Sequence, residues 1–328
     1  MGFEEFHDEL RSVAADVLGK RTRGAEHAED RAVDWPVLVD AGWVGLEIPE
    51  HLGGAGATFA ETAVICRELG RAASAGSYLG SAVLAVGTLN ALQPSEIRDR
   101  LLADIAAGDT RVAVALDGLD FVPDAVGADR VLVVANGAVA VAELDVTPLP
   151  VVDETRRLAA VSSRTLEPPT MLRFDGDADT AVRRLRERAA VAVACDSLGL
   201  AEAMLSATVE YAKVRSQFGR PIGSFQAVKH ACADLLVQVQ VCRQLVETAV
   251  HAVVAGDATA AAAMAKSHVC SAAVDVAGKA MQLHGGIGYT WESGIHVYLK
   301  RAALNRSLFG SPAAHRRQLA QRYRDQGE

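Results

Sequence analysis

Asp196 is the carboxylate whose position raises a chemical question. It lies three residues after Val193 and four before Leu200, so a helix through this segment puts it on the apolar stripe formed by Val182, Leu185, Ala189, Val193, Leu200 and Met204. Burial there raises the pKa of a carboxyl group and poises it for proton transfer. The competing reading is a buried Asp that pairs with an arginine such as Arg243 or caps another helix. Other reactive residue types offer less. Cys66, Cys195, Cys232, Cys242 and Cys270 are scattered singly through apolar stretches, without a CxxC pair or metal-ligand spacing, and read as reduced core residues. No Ser/His/Asp triad, nucleophile elbow or metal cluster emerges from the spacing. Gly53, Gly54 and Gly56 permit a tight loop, and their flanks fit a loop better than a phosphate cradle.

The elements that must carry these residues fall into three stretches. Apolar residues recur three and four apart over 4–18, 60–70, 80–92 and 96–107, which predicts an N-terminal helical domain, residues 1–110. RVAVAL, RVLVVANG and AVAVAEL then predict a small β domain over 111–176, with a hairpin turn at Asn136-Gly137 and an exit marked by EPPT (167–170). From 177 to 328 the chain reads as a C-terminal helical domain. Its long helices begin near Thr180, Phe225, Ala258 and Glu292, followed by a short basic one over 312–324. Helices this long and regular suggest an antiparallel four-helix bundle. The fold class is mainly α.

Half of the 328 residues are apolar and only 5 % are aromatic, a composition that favours helices packed closely through small side chains. The formal net charge of −8 argues against a nucleic-acid partner, because phosphate binding needs a basic face. The N-terminus lacks the apolar core of a signal peptide, and no stretch reads as long enough to span a bilayer; the expectation is a cytoplasmic protein.

Two strings are more specific than pattern. YAKVRSQFGRPIGSFQAVKH (211–230) and QLHGGIGYTWES (282–293), in this order, resemble the acyl-CoA dehydrogenases. GWVGLEIPEHLGGAG, followed by Cys66-Arg67-Glu68-Leu69-Gly70, is similar to that family's first helical domain. The resemblance implies a helical domain, a β domain and a four-helix domain, with FAD as cofactor and an acyl-CoA as substrate. It further implies that Arg215, Phe218, Gln226, Gln282, Gly285 and Gly286 contact the adenosine and pyrophosphate part of an FAD, across an interface, on the neighbouring subunit's flavin. Arg215 offers a planar fork of donors, and glycines at 285 and 286 let backbone approach a ligand. Taken singly, Arg215 reads equally as a solvated helix-end cation and the glycine pair as a helix cap. His284, Tyr289 and Trp291 read as packing or interface residues.

Two parts of the family pattern are missing. The Thr-Glu-Pro-Gly-like loop and Trp-Ile-Thr-like strand that hold the flavin ring are not recognisable in the shortened β domain. Phe309 stands where many members carry a catalytic Glu, and Ala189 or Ala190 stands at the other familiar base position. Asp196 is seven residues from Ala189, about 10 Å along a helix. The resemblance is therefore to the shortened subunit of heteromeric, α2β2 acyl-CoA dehydrogenases of steroid side-chain degradation. Such a subunit lends half of an FAD site to a dissimilar partner that carries the base. The alternatives are a homomeric dehydrogenase with Asp196 as a displaced base, and a non-catalytic acyl-CoA-binding protein of the same fold.

Overall fold

Thr58 and Glu61 start the helix that anchors the N-terminal region. In the computed structural model, which describes residues 3–22, 29–142, 144–163 and 170–325, the Thr58 hydroxyl accepts from the Ala60 amide while Glu61 reaches back to the Thr58 amide, a reciprocal cap. This helix, α3 (Phe59–Arg71), packs between α1 (Phe3–Thr22) and the C-terminal bundle. The short α2 (Trp35–Asp40) precedes it. The helical stretch expected over 80–92 is a π-helical turn (Leu79–Ala85) running into α4 (Val86–Asn90). The widened turn is tied to the β region: the Asp124 carboxylate accepts from the Gly80 amide at 2.7 Å, and the Ser81 hydroxyl donates to the Val112 carbonyl at 3.0 Å. Helix α5 (Glu96–Ala107) ends at Gly108 in the left-handed conformation.

Val-rich runs then form two small sheets. One has the order β1 (Val112–Ala115), β3 (Arg130–Ala135), β4 (Ala138–Ala142), β7 (Thr170–Arg173), with β1 and β3 parallel. The other has the order β2 (Val122–Pro123), β6 (Leu158–Ser163), β5 (Leu144–Pro148), all antiparallel. Asn136 and Gly137, both at positive φ, make the two-residue turn between β3 and β4. Most of the EPPT segment lies outside the described residues.

Beyond it run α6 (Ala178–Val214), α7 (Gln226–Ala255), α8 (Thr259–His284), α9 (Ile295–Ser307) and α10 (Pro312–Asp325). A two-strand hairpin, β8 (Ser216–Gln217) and β9 (Arg220–Pro221), joins α6 to α7. The architecture is the expected one: mainly α, with a small sheet region between helical ones. Helices α6 and α8 are the centre of the core. Alanines at 189, 190, 192, 194, 265, 273 and 277 are at most 1 % exposed, and their small side chains let the two backbones approach. Helix α6 is long and apolar enough to cross a membrane, contrary to the expectation from sequence, but 83 % of its apolar window is buried inside the protein.

Charged residues knit these layers together. Glu202 on α6, 3 % exposed, receives Arg67 and Arg71 from α3 and Arg243 from α7. Burial alone would raise its pKa; the hydrogen bond and charge of Arg67, followed by Arg71 and Arg243, hold it below the usual value. Asp124, at φ +58, has fewer close donors, and burial pushes its carboxyl up to about 6 despite the Gly80 amide and the nearby Arg156, Arg301 and Arg157. A carboxyl whose folded pKa exceeds its unfolded one binds protons more readily when folded, so its ionisation costs stability as pH rises from about 4 through 6. Asp124→Asn keeps an acceptor for Gly80, suits a left-handed backbone and removes that cost. We expect the variant to be more stable at pH 7.5 by up to about 3 kcal/mol, the equivalent of roughly two pKa units. The advantage should vanish at pH 4 in urea unfolding; an advantage independent of pH would show that ionisation is not its origin.

Candidate functional site

Tyr211 occupies the last turn of α6, and its ring stacks on His284 at the end of α8 with centroids 4.3 Å apart; its hydroxyl donates to the His284 carbonyl at 3.2 Å. The stack closes the floor of an open groove of about 590 Å³, lined by Arg215, Gln217, Ile222 and the Gly285–Ile287 turn among others. His284 is buried, its Nδ1 within 2.8 Å of the Ala280 carbonyl, so it packs beneath the groove. Gly285 has φ +65 and ψ −144, a conformation open essentially to glycine alone. A Cβ built on Gly285 or Gly286 would meet no protein atom within 4 Å and would stand in open space. Arg215 is exposed and its side chain makes no ion pair or hydrogen bond among the described residues.

The structure brings Arg215, Gly285 and Gly286 to one groove, and the other three FAD-contact candidates are not among its lining residues. Phe218 is the tip of the β8–β9 hairpin, 92 % exposed and held at φ +52, with its ring edge-on to Phe225. Gln226 begins α7 and is exposed. Gln282, also exposed, lies on the last turn of α8 and accepts from Lys279 at 3.0 Å. Tyr289 and Trp291 are 71 % and 58 % exposed, so they are not core aromatics. An unpaired guanidinium, open glycine backbone and flanking amides form a donor set that fits a pyrophosphate. Tyr211 was missed in the sequence although it lies within YAKVRSQFG, because nothing in that string says which ring floors a groove.

The proposed base does not survive the structure. Asp196 is 3 % exposed, and both of its oxygens are taken: Oδ1 by Arg301 Nε at 3.0 Å and Asn305 Nδ2 at 2.6 Å, Oδ2 by Arg301 Nη2 and by Arg156 Nη2 at 3.2 Å. Burial acts to raise its pKa, but the charges of Arg301 and Arg156 and the bonds from Arg301 and Asn305 win and hold it below the usual carboxylate value. The upward shift expected from its place on the apolar stripe is reversed. Its partners are Arg301 and Arg156, not Arg243, which bonds Glu202 instead. With no free oxygen and a lowered pKa, Asp196 is a structural anion.

Ala190 and Phe309 line a second cavity, of about 440 Å³, between α6, α8 and α10. Ala189, beside them, is 0 % exposed. Phe309 has φ +53 and the next residue, Gly310, φ +95. This strained turn is tied down: Lys266, itself 0 % exposed, donates to the carbonyls of Asn305, Arg306 and Gly310 at 2.9, 3.2 and 3.0 Å, and His315 Nε2 donates to the Phe309 carbonyl at 2.9 Å. Burial lowers the pKa of Lys266. Glu187, 7 % exposed, lies between this cavity and a neighbouring one lined by Gly87, Asp177 and Arg188 among others. Among the described residues no cluster of histidine, cysteine and carboxylate side chains could hold a metal ion.

A helical–sheet–helical fold whose C-terminal bundle ends in an open groove holding Arg215 and the Gly285–Gly286 turn matches the domain models of one enzyme family over most of its length. The acyl-CoA dehydrogenase N-terminal domain model matches residues 3–109 and the C-terminal domain model residues 180–323. The chain is 39 % identical over 308 residues, 92 % of this chain and 91 % of the other, to the acyl-CoA dehydrogenase IpdE2 of Mycobacterium tuberculosis. The chain belongs to the acyl-CoA dehydrogenase family. Among solved structures it shares its fold with a steroid ACAD, the Tcur3481-Tcur3483 G363A variant (24 % identity, TM-score 0.86, 99 % of both chains). A second is the ChsE4-ChsE5 complex from Mycobacterium tuberculosis (24 % identity, TM-score 0.85, 96 % of both chains). A third is the electron transferring flavoprotein of Acidaminococcus fermentans (22 % identity, TM-score 0.89, 98 % of this chain and 99 % of the other).

Proposed function

We propose that the chain is one subunit of a heteromeric, cytoplasmic FAD-dependent acyl-CoA dehydrogenase, with a steroid side-chain CoA ester as the substrate class. The observation that carries this reading is an imbalance within the chain. The groove holds an arginine without an ion pair beside open glycine backbone, whereas by resemblance Phe309, and Ala189 or Ala190, stand where members of the family carry their base, and Asp196 is fully engaged. In the assembly, Arg215 would bind the pyrophosphate, the Gly285–Gly286 backbone would admit it closely, and Phe218, Gln226 and Gln282 would border the adenosine. FAD, when bound, supplies the acceptor for the hydride leaving the β carbon of the thioester. The base and the loop that holds the flavin ring belong to the dissimilar partner, in an α2β2 arrangement. The two-component names of two structural neighbours, Tcur3481-Tcur3483 and the ChsE4-ChsE5 complex, support a dissimilar partner.

Expression alone and with the product of the adjacent gene, followed by flavin content and native mass, tests the reading. One FAD per two unlike chains is expected, with little in the chain alone. Full occupancy in the chain alone would overturn the heteromer, and flavin in neither preparation would favour a non-catalytic acyl-CoA-binding protein. Within the complex, Arg215→Ala is expected to weaken flavin retention roughly 10- to 150-fold, the loss of a charge-assisted bond of about 1.5–3 kcal/mol. Unchanged flavin content on dilution would reduce Arg215 to a surface cation.

A further inference from the structure

Helix α7 carries a second, outward stripe beside the one it buries. Inward, Leu235, Val239 and Val246 pack into the bundle. Outward, residues recurring four and three apart, from Gln226 through Ala233, Val237, Gln240 and Gln244 to His251, are all exposed. At 3.6 residues per turn, no Lys, Arg, Asp or Glu of the helix falls within about 50° of the midline of that stripe. Val237, 63 % exposed, and Val241, 44 % exposed, sit near its centre. Lys229, Asp234 and Glu247 lie on its flanks, and Arg243 is turned away to Glu202. The solvent side of an amphipathic helix ordinarily carries charge. An uncharged stripe with four-three spacing is instead the kind of surface by which one helix packs along another, and depletion of charge marks the core of an interface.

We propose that this stripe is the docking surface for the dissimilar subunit, which lays an uncharged helix along it. The inference rests on the heteromeric reading and names the face that reading needs. Continuity selects the occupant. Gln226, an FAD-contact candidate, is on the stripe, and Phe225 just before it meets the exposed ring of Phe218 edge-on and lies under the Arg220 guanidinium at 4.1 Å. A second copy of this chain laid along the stripe would cover Gln226 and leave no flavin-bearing chain at that end. Size points the same way. The 30 residues of α7 make a helix about 45 Å long, and a width of about 11 Å gives a footprint of roughly 500 Å². A stable interface takes about 800 Å² from each partner. The stripe alone is too small for that, and the contact must continue over the hairpin tip toward the groove, where the FAD is shared.

The test uses the full chain co-expressed with the product of the adjacent gene, with p-benzoylphenylalanine in place of Gln244. Illumination is expected to join this chain to its dissimilar partner, as read from the mass of the adduct. Val237→Asp alters an exposed position, so the melting temperature of the chain alone should not change. Its affinity for the partner should fall at least about tenfold, with a matching loss of flavin, because docking would bury the new carboxylate unpaired. Ile97→Asp, at an exposed apolar position on α5, adds the same charge away from the stripe and should leave the affinity as it is. Adducts formed only with a second copy or not at all, or an affinity untouched by Val237→Asp, would overturn the docking surface and leave the heteromer standing. A wild-type pair that forms no complex would overturn both.

Discussion

Arg301→Ala is expected to destabilise the protein by about 3–5 kcal/mol, the usual result of stripping one partner from a buried ion pair. Arg301 is 2 % exposed and contacts each part of the fold: Nε and Nη2 go to Asp196 on α6, and Nη1 to the Ser74 carbonyl after α3 and, at 3.1 Å, to Thr155 Oγ1 before β6. Truncation leaves the Asp196 carboxylate in the core with Arg156 and Asn305 alone. The melting temperature should fall by roughly 10 °C for a chain of this size. Asp196→Asn distinguishes structural from catalytic roles: it should lower stability while leaving turnover per folded complex unchanged, whereas a proton acceptor would lose turnover. The pH sign follows from the depressed pKa. Stability contributed by Asp196 is fully present above the ordinary carboxylate range, near 3.8, and is lost as pH falls through the lower folded value. The Arg301→Ala variant should therefore lose much of the wild type's acid-unfolding limb; an unaltered limb would place that titration elsewhere.

What could be read from the sequence follows the range over which each interaction acts. Helix periodicity, the Asn136-Gly137 hairpin and the strings around Arg215 and Gly285 are local, and the groove joins residues that the motifs already named. The ionic core is not local. Arg301 lies 105 positions beyond Asp196, on a helix whose packing angle nothing in the string specifies. Arg243, the arginine given as an example of such a partner, meets Glu202 instead, further along α6. The sequence showed Asp196 to be buried but not what surrounds it, and the surroundings decide the sign of its pKa shift. Glu187 was passed over for a related reason. One turn before Ala190, among Arg183, Arg184, Arg186 and Arg188, it reads as part of a solvated charge run. Only the approach of Thr259 from α8 makes it a buried acceptor.

Gly199→Ala is expected to cost about 3 kcal/mol, although alanine is the better helix former. Gly199 on α6 faces α3 where the two helices cross, and a Cβ there would land on the Arg67 carbonyl oxygen; at the reciprocal position, a Cβ on Gly70 would land on the Asp196 carbonyl. Neither atom is the end of a flexible side chain, so the helices must separate, and overpacking of this kind outweighs propensity. Separation also draws Arg67 and Arg71 away from Glu202, one turn further on, exposing a second ionic cluster to partial loss of its partners. Gly278→Ala in α8 supplies the opposite sign: a Cβ there meets nothing within 4 Å, and replacing glycine in a helix interior should gain roughly 0.5–1 kcal/mol. Paired thermal melts of the two variants decide the matter. A Gly199→Ala protein as stable as wild type would mean that α3 and α6 can slide without strain. The Arg67–Glu202 and Arg71–Glu202 pairs would then hold the α3–α6 contact without help from close backbone packing.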